Sequence, residues 1–128
     1  MLATRLKAGT ATGGNIEFVG ATLNGAERPR DGDLQLGVPT GVQEGDLLIA
    51  ICASPPLSGR GIWTATTEWT LDRTNFGAGL YYKTASTGEP SSYSFFYFYS
   101  RRLMIGSMLA YRGADFDVSG SFSESSTP

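Results

Sequence analysis

The stretch Gly45-Asp46-Leu47-Leu48-Ile49-Ala50-Ile51-Cys52-Ala53 (GDLLIAICA) contains seven apolar residues in a row behind a Gly-Asp turn signal. Seven is too short for a buried helix of several turns and suits a strand. Leu47, Ile49 and Ile51 share one face of that strand, and Leu48, Ala50 and Cys52 share the other. Both faces are apolar, so the strand is expected to be central and covered on both sides.

Working outward, Leu34, Leu36 and Val38 alternate with Asp33, Gln35 and Gly37, the period-two pattern of a half-buried strand that ends at Pro39-Thr40-Gly41. Before it, residues 16–19 form a short strand. Residues 20–32 carry Asn24-Gly25, Arg28-Pro29-Arg30 and Asp31-Gly32, which read as turns. Beyond it, residues 54–61 hold two prolines and two glycines and read as a loop. Strands then follow at 69–71, 78–84, 92–99 and 103–111. Short strands at this spacing, with Gly, Pro and Ser between them, indicate an all-β antiparallel sandwich or barrel with little or no helix. Residues 1–14 read as an N-terminal arm, 15–114 as the β domain, and 115–128 as a polar tail or the start of further strands. The apolar strand at 103–111 would not be left as a bare edge. Its completion is expected from a neighbouring subunit, a following segment or an exchanged N-terminal arm.

Composition narrows the function classes. The 128 residues are 41% hydrophobic and 17% charged, with a net charge of −2, no histidine and one cysteine. One domain with a real core is expected. The weak net charge gives no general attraction to nucleic acid or an anionic membrane. Without histidine there is no Ser-His-Asp triad, Cys-His pair or imidazole metal ligand. Cys52 reads as a small core residue. No segment approaches the roughly 18 apolar residues that cross a bilayer as a helix, and residues 1–14 lack the apolar region of a secretory signal. The pairs Asp31/Asp33 and Asp115/Asp117 read as solvated turns rather than calcium ligands. The glycine-rich 9–14 lacks the GK[ST] of a phosphate loop. No cofactor or metal is implied.

The most unusual segment is Tyr93-Ser94-Phe95-Phe96-Tyr97-Phe98-Tyr99, followed by Ser100-Arg101-Arg102. In a strand, Tyr93, Phe95, Tyr97 and Tyr99 share one face, and Phe96 and Phe98 sit between serines on the other. The preferred reading is structural. Phe96 and Phe98 enter the core, while the tyrosine face packs under a loop or a neighbouring subunit. A glycan platform remains open, since flat aromatic faces stack on sugar rings. Nucleic-acid stacking is disfavoured by the charge. Tyr93, Tyr97, Tyr99, Arg101 and Arg102 are therefore the candidate interface or glycan contacts.

The order of Pro39-Thr40-Gly41, Gly45-Asp46-Leu47-Leu48-Ile49-Ala50, Trp69-Thr70-Leu71, Leu80-Tyr81-Tyr82-Lys83-Thr84-Ala85, Gly88-Glu89-Pro90, Tyr93-Ser94-Phe95 and Ala110-Tyr111-Arg112-Gly113 resembles a jelly-roll-like β-sandwich domain of bacteriophage tail fibre and other virion proteins. Similar modules occur in bacterial surface and secreted proteins. The resemblance implies a non-enzymatic structural or adhesive module of the virion: a tail fibre, a tail tip or a capsid decoration. Its partners would be other virion proteins, copies of itself and a host-surface glycan, with neither nucleic acid nor membrane insertion. The alternative is a carbohydrate-binding module of a phage or bacterial surface protein. The resemblance also casts Gly45-Asp46 as the turn into the central strand, Trp69 as a core plug, and Tyr111-Arg112-Gly113 as a strand end whose arginine pairs with a carbonyl or carboxylate.

Overall fold

A computed structural model describes residues 6–8, 15–28, 32–54, 62–75, 77–98 and 102–116. All regular structure among them is β: β1 (Leu6–Ala8), β2 (Glu17–Arg28), β3 (Gly32–Gly37), β4 (Leu47–Ala53), β5 (Ile62–Ala65), β6 (Thr70–Asn75), β7 (Ala78–Thr84), β8 (Ser92–Phe98), β9 (Arg102–Arg112) and β10 (Ala114–Phe116). A five-stranded sheet, β2-β9-β4-β7-β6, faces a three-stranded sheet, β3-β8-β5, and β1 pairs with β10 as a third, small sheet. Every pairing is antiparallel.

The topology is that of one long hairpin wrapped on itself. β1 pairs with β10, β2 with β9, β3 with β8 and β4 with β7, each the mirror of the other about the β5–β6 connection. Wrapping the hairpin adds the β4–β9 and β5–β8 ladders and produces a jelly roll. The expected fold class is thus observed. One local departure is that β6, at the tip, pairs with β7 along the edge of the larger sheet.

The core lies between the two large layers. Leu48, Ala50 and Cys52 of β4, Met104, Met108 and Ala110 of β9, and Tyr81 of β7 meet Leu34 and Leu36 of β3, Tyr93, Phe95 and Tyr97 of β8, Trp63 of β5 and the plug Trp69. Cys52 is buried here as expected, and burial pushes its thiol pKa well up. Gly106 has a steric reason to be glycine. A Cβ there would lie 2.9 Å from both the Ile51 carbonyl oxygen and Leu34 Cδ2, so its absence lets Leu34 from the facing sheet settle onto β9.

The other face of β4 is also covered. Leu47 and Ile49 are buried with Leu80 and Ala114, packed against Tyr82, Tyr111 and Phe116. Phe116 stacks on Tyr82 with centroids 4.2 Å apart and planes 7° from parallel. β10 is the cover, through Ala114 and Phe116. Gly113 turns the chain from β9 into β10 with a φ of 76° and lies against the Asn15 backbone, a geometry that favours glycine.

Several expectations from sequence are corrected. Residues 20–28 do not turn but continue β2, because its polar side chains stitch the two sheets together. Thr22 Oγ1 donates to the Gly37 carbonyl (2.6 Å) and Asn24 Nδ2 to the Gln35 carbonyl (2.7 Å). The 103–111 strand is no edge. As part of β9 it runs between β2 and β4, so its backbone is paired on both sides. The arm contributes β1, and β10 reaches Phe116.

The two outward faces differ in chemistry. On the three-stranded sheet, Asp33, Gln35, Ser92, Ser94 and Thr64 surround Phe96. On the five-stranded sheet, the part beyond the β10 cover presents Leu23, Leu103 and Ile105, all exposed, beside half-buried Ile51 and Leu109.

Candidate functional site

The phase of β8 is the reverse of the structural reading above. Tyr93, Phe95 and Tyr97 point into the core, and Phe96 is half-buried on the outside. A chain of ring contacts explains the choice. Trp63 meets Tyr97 at 5.0 Å, Trp69 meets Tyr93 at 5.1 Å and Phe95 at 5.2 Å, and Tyr81 meets Phe95 at 5.4 Å. Such pairs each add about 0.5–1.5 kcal/mol beyond simple burial. Tyr93 and Tyr97 are therefore core residues and form no open aromatic platform. Tyr99 and Arg101 lie outside the described residues. Arg102 opens β9 opposite Arg28. Of the acidic pairs, Asp33 sits on β3 and Asp115 is exposed on β10, while Asp31 and Asp117 lie outside the described residues. The glycine-rich 9–14 lies outside them too.

The structure instead gathers charge at one end of the sandwich, where the β3–β4 loop (38–46) and the β7–β8 loop (85–91) run side by side. Backbone bonds hold these loops together: Gly45 N–H to the Ala85 carbonyl (2.9 Å), Ala85 N–H to the Asp46 carbonyl (2.7 Å) and Val38 N–H to the Ser91 carbonyl (2.9 Å). Each loop also carries a buried carboxylate.

Three hydrogen bonds from two residues hold the Asp46 carboxylate. Arg112 grips it through two bonds, Nε to Oδ1 and a terminal nitrogen to Oδ2, both 2.9 Å. The Gln43 N–H donates to Oδ2 at 2.8 Å. The same Arg112 also donates to the Gly41 carbonyl at 2.9 Å, so one side chain from the end of β9 fastens the whole β3–β4 loop. Burial raises the Asp46 pKa, but the Arg112 and Gln43 bonds and the Arg112 charge outweigh it and hold the carboxyl below its ordinary value.

Glu89 is held more fully. Its Oε2 accepts from Lys83 Nζ (2.8 Å), the Ser86 N–H (2.7 Å) and Ser86 Oγ (3.0 Å), and its Oε1 accepts from the Tyr93 hydroxyl. Lys83 Nζ also donates to Tyr93 at 2.7 Å and lies 4.8 Å from that ring's centroid. Burial opposes ionisation, yet the bonds from Lys83, Ser86 and Tyr93 bring the Glu89 pKa down to about 2. Lys83 is moved up: burial lowers its pKa, but bonding to Glu89 and Tyr93 more than reverses this. The Tyr93 pKa rises through burial and its bond to Glu89. The group is thus an ion pair with a neutral tyrosine between its members.

Between the loops lies an open cleft of about 510 Å³, lined by residues that include Val38, Pro39, Gln43, Ser86, Glu89 and Pro90. Among the described residues, no aromatic side chain lines it. Among the described residues, no group of three or more His, Cys, Asp and Glu side chains is placed to hold a metal ion.

Comparison with protein families, curated proteins and solved structures finds no match.

Sequence reading had placed Asp46, Glu89 and Arg112 in turns and strand ends without joining them. The signal was present in part. A charge directly before an apolar strand (Asp46) and one directly after another (Arg112) fall at the same end of adjacent antiparallel strands.

Proposed function

We propose that this domain is a non-enzymatic structural component of a bacteriophage virion, in a tail fibre, tail tip or capsid decoration, held by contacts with other particle proteins and with copies of itself. The observation that supports it is how the buried charges are used. Asp46 and Glu89 spend their acceptor capacity on fixing two loops to the strand ends, and Lys83 is a protonated partner rather than a nucleophile. The domain then acts through shape, as a rigid jelly roll, an architecture recurrent in viral capsid and lectin domains. The residues that carry the resemblance to virion modules perform architectural tasks: Trp69 plugs the core and Arg112 ties a loop.

The test is localisation. Antibody to the chain should label purified particles in electron micrographs and co-sediment with them. Recovery only from the particle-free supernatant would overturn the reading.

The cleft favours a second reading, carbohydrate binding. Gln43, Glu44, Thr87 and Ser91 offer polar groups beside two prolines, where a sugar could be held by hydrogen bonds and ring-edge packing. A glycan array decides it: specific retention, abolished by filling the cleft with Ser86→Trp, supports binding there.

A further inference from the structure

We propose that the cleft between the β3–β4 and β7–β8 loops selects an amine-bearing sugar over an acidic one, and that Glu44 sets this preference. The inference deepens the carbohydrate reading of the cleft and rests on it. The volume of about 510 Å³ falls in the range of small-ligand sites. Among the described residues that line the cleft there is no Lys or Arg.

The two lining carboxylates differ in what they have left to give. Glu89 is enclosed and already bonded to Lys83, Ser86 and Tyr93. Glu44 is exposed, and among the described residues its carboxylate has no hydrogen-bond or ion-pair partner. The same holds for the side chains of Gln43, Thr87 and Ser91. A sugar in the cleft therefore meets one uncommitted negative charge, one amide and two hydroxyls, between Pro39 and Pro90. An ammonium on the ring brings three donors and answers the charge of Glu44. A carboxylate, sulfate or phosphate on the ring meets no positive side chain among these lining residues.

The surrounding end of the sandwich has the same sign. β2 begins with Glu17, opposite Arg112, and the β5–β6 connection carries Glu68. Among the described residues, Glu17, Glu44, Asp46, Glu68 and Glu89 thus stand at this end with Lys83 and Arg112 to balance them. Both cations are committed. Lys83 is enclosed on Glu89, and the charges of both act on Glu68. Arg112 reaches the Gly41 carbonyl at the cleft wall but is bound to Asp46 through two nitrogens, and the Glu17 charge acts on it as well. Lys7 and Asp115, opposite each other in the β1–β10 ladder, cancel. A concave site whose surroundings share one sign concentrates ligands of the other.

A glycan array probed with the full chain tests this. Beside neutral hexose oligomers, each amino-sugar backbone is printed as the free amine, as the N-acetyl amide and as the N-succinyl amide, which ends in a carboxylate. At mildly acidic pH, where the sugar amines are protonated, retention should fall in that order. Glu44→Gln should weaken retention of the free amines about fivefold, the upper end of an exposed ion pair, and leave the acetyl forms unchanged. Glu44→Lys should raise the succinyl forms above the amines. Thr87→Trp, which fills the cleft and keeps every charge, should abolish retention. Glu44 and Thr87 are both exposed, so melting temperatures should match the wild type. Amine retention that survives Thr87→Trp would show general charge attraction and overturn the proposal. Equal retention of amine and succinyl forms, binding confined to sugars without an amine, or an amine preference that Glu44→Gln does not reduce would overturn the selection and leave the carbohydrate reading standing. Retention of no sugar at all removes both.

Discussion

Asp46 and Glu89 are buried carboxylates at the same end of the molecule, each paired with a cation, yet the two pairs differ in what they leave behind when broken. The Asp46 side chain is 2% exposed and that of its partner Arg112 35%. Glu89 and Lys83 are both enclosed, at 7% and 8%. Without Asp46, the guanidinium can turn to water. Without Glu89, an ammonium is left with a phenol hydroxyl and two aromatic faces for company. The lesson is that the worth of a buried carboxylate depends on the solvent access of its partner as much as on its own hydrogen bonds.

The largest effect should follow Glu89→Ala. It strands Lys83 and unties Ser86 and Tyr93, and breaking an enclosed pair costs about 3–5 kcal/mol. Urea denaturation measures this. Adding Lys83→Met should restore much of the loss, because the uncompensated charge goes as well. If the double variant is less stable than the single, the stranded-charge account fails.

Acid sharpens the contrast next. The folded-state pKa of Glu89 is depressed from an ordinary 4.5 to about 2, so its contribution is fully present above the unfolded value and is lost as pH falls from about 4.5 toward 2. That interval corresponds to roughly 3 kcal/mol. Screening at the loop end leaves on the order of 2 kcal/mol. Stability measured against pH should fall across this window in the wild type and fall less in Glu89→Gln. Lys83 has the opposite sense. Its raised pKa gives stability that is complete below the ordinary lysine value and lost as pH rises through the folded one.

Asp46→Ala should cost less than Glu89→Ala, about 2 kcal/mol, the scale of hydrogen bonds to a charged group. Amide exchange should quicken at Gly45, whose N–H bonds to Ala85. Equal losses in the two alanine variants would remove the distinction drawn from Lys83 and Arg112.

The smallest effect belongs to Arg112→Lys. An ammonium keeps the charge but loses the planar two-bond grip on Asp46 and the added reach to Gly41. Midpoints of thermal unfolding should drop less than in Asp46→Ala.

The β4 strand was legible because seven apolar residues leave no doubt about either face. The order of strands was legible because turn residues punctuate the later part of the chain at short intervals. The facing of β8 was not. Both of its faces carry aromatics, so hydrophobicity does not set the phase, and the tyrosine hydroxyls suggested an outward face. What reverses it is remote: Glu89 and Lys83 supply the Tyr93 hydroxyl with partners inside the fold. The Asn24-Gly25 pair misled for a similar reason. Asn24 satisfies a carbonyl of β3, eleven residues on, a use that local turn propensity does not reveal. The loop-end site was missed as a unit because Asp46 and Arg112 are 66 positions apart.

The wrapped hairpin has a kinetic meaning. Beside its tip, the β6–β7 hairpin closes with almost no intervening chain, whereas the β2–β9 ladder joins groups such as Thr22 and Ser107, 85 positions apart. Loop-closure entropy must be overcome before such remote ladders repay it. Folds dominated by remote pairing reach the native state in milliseconds to seconds rather than microseconds. We expect zippering to proceed from the tip toward the root, with β1 and β10 last to dock. Until β10 does, Leu47, Ile49 and Leu80 stay open to water, so a late step of folding is also the one that hides this apolar surface.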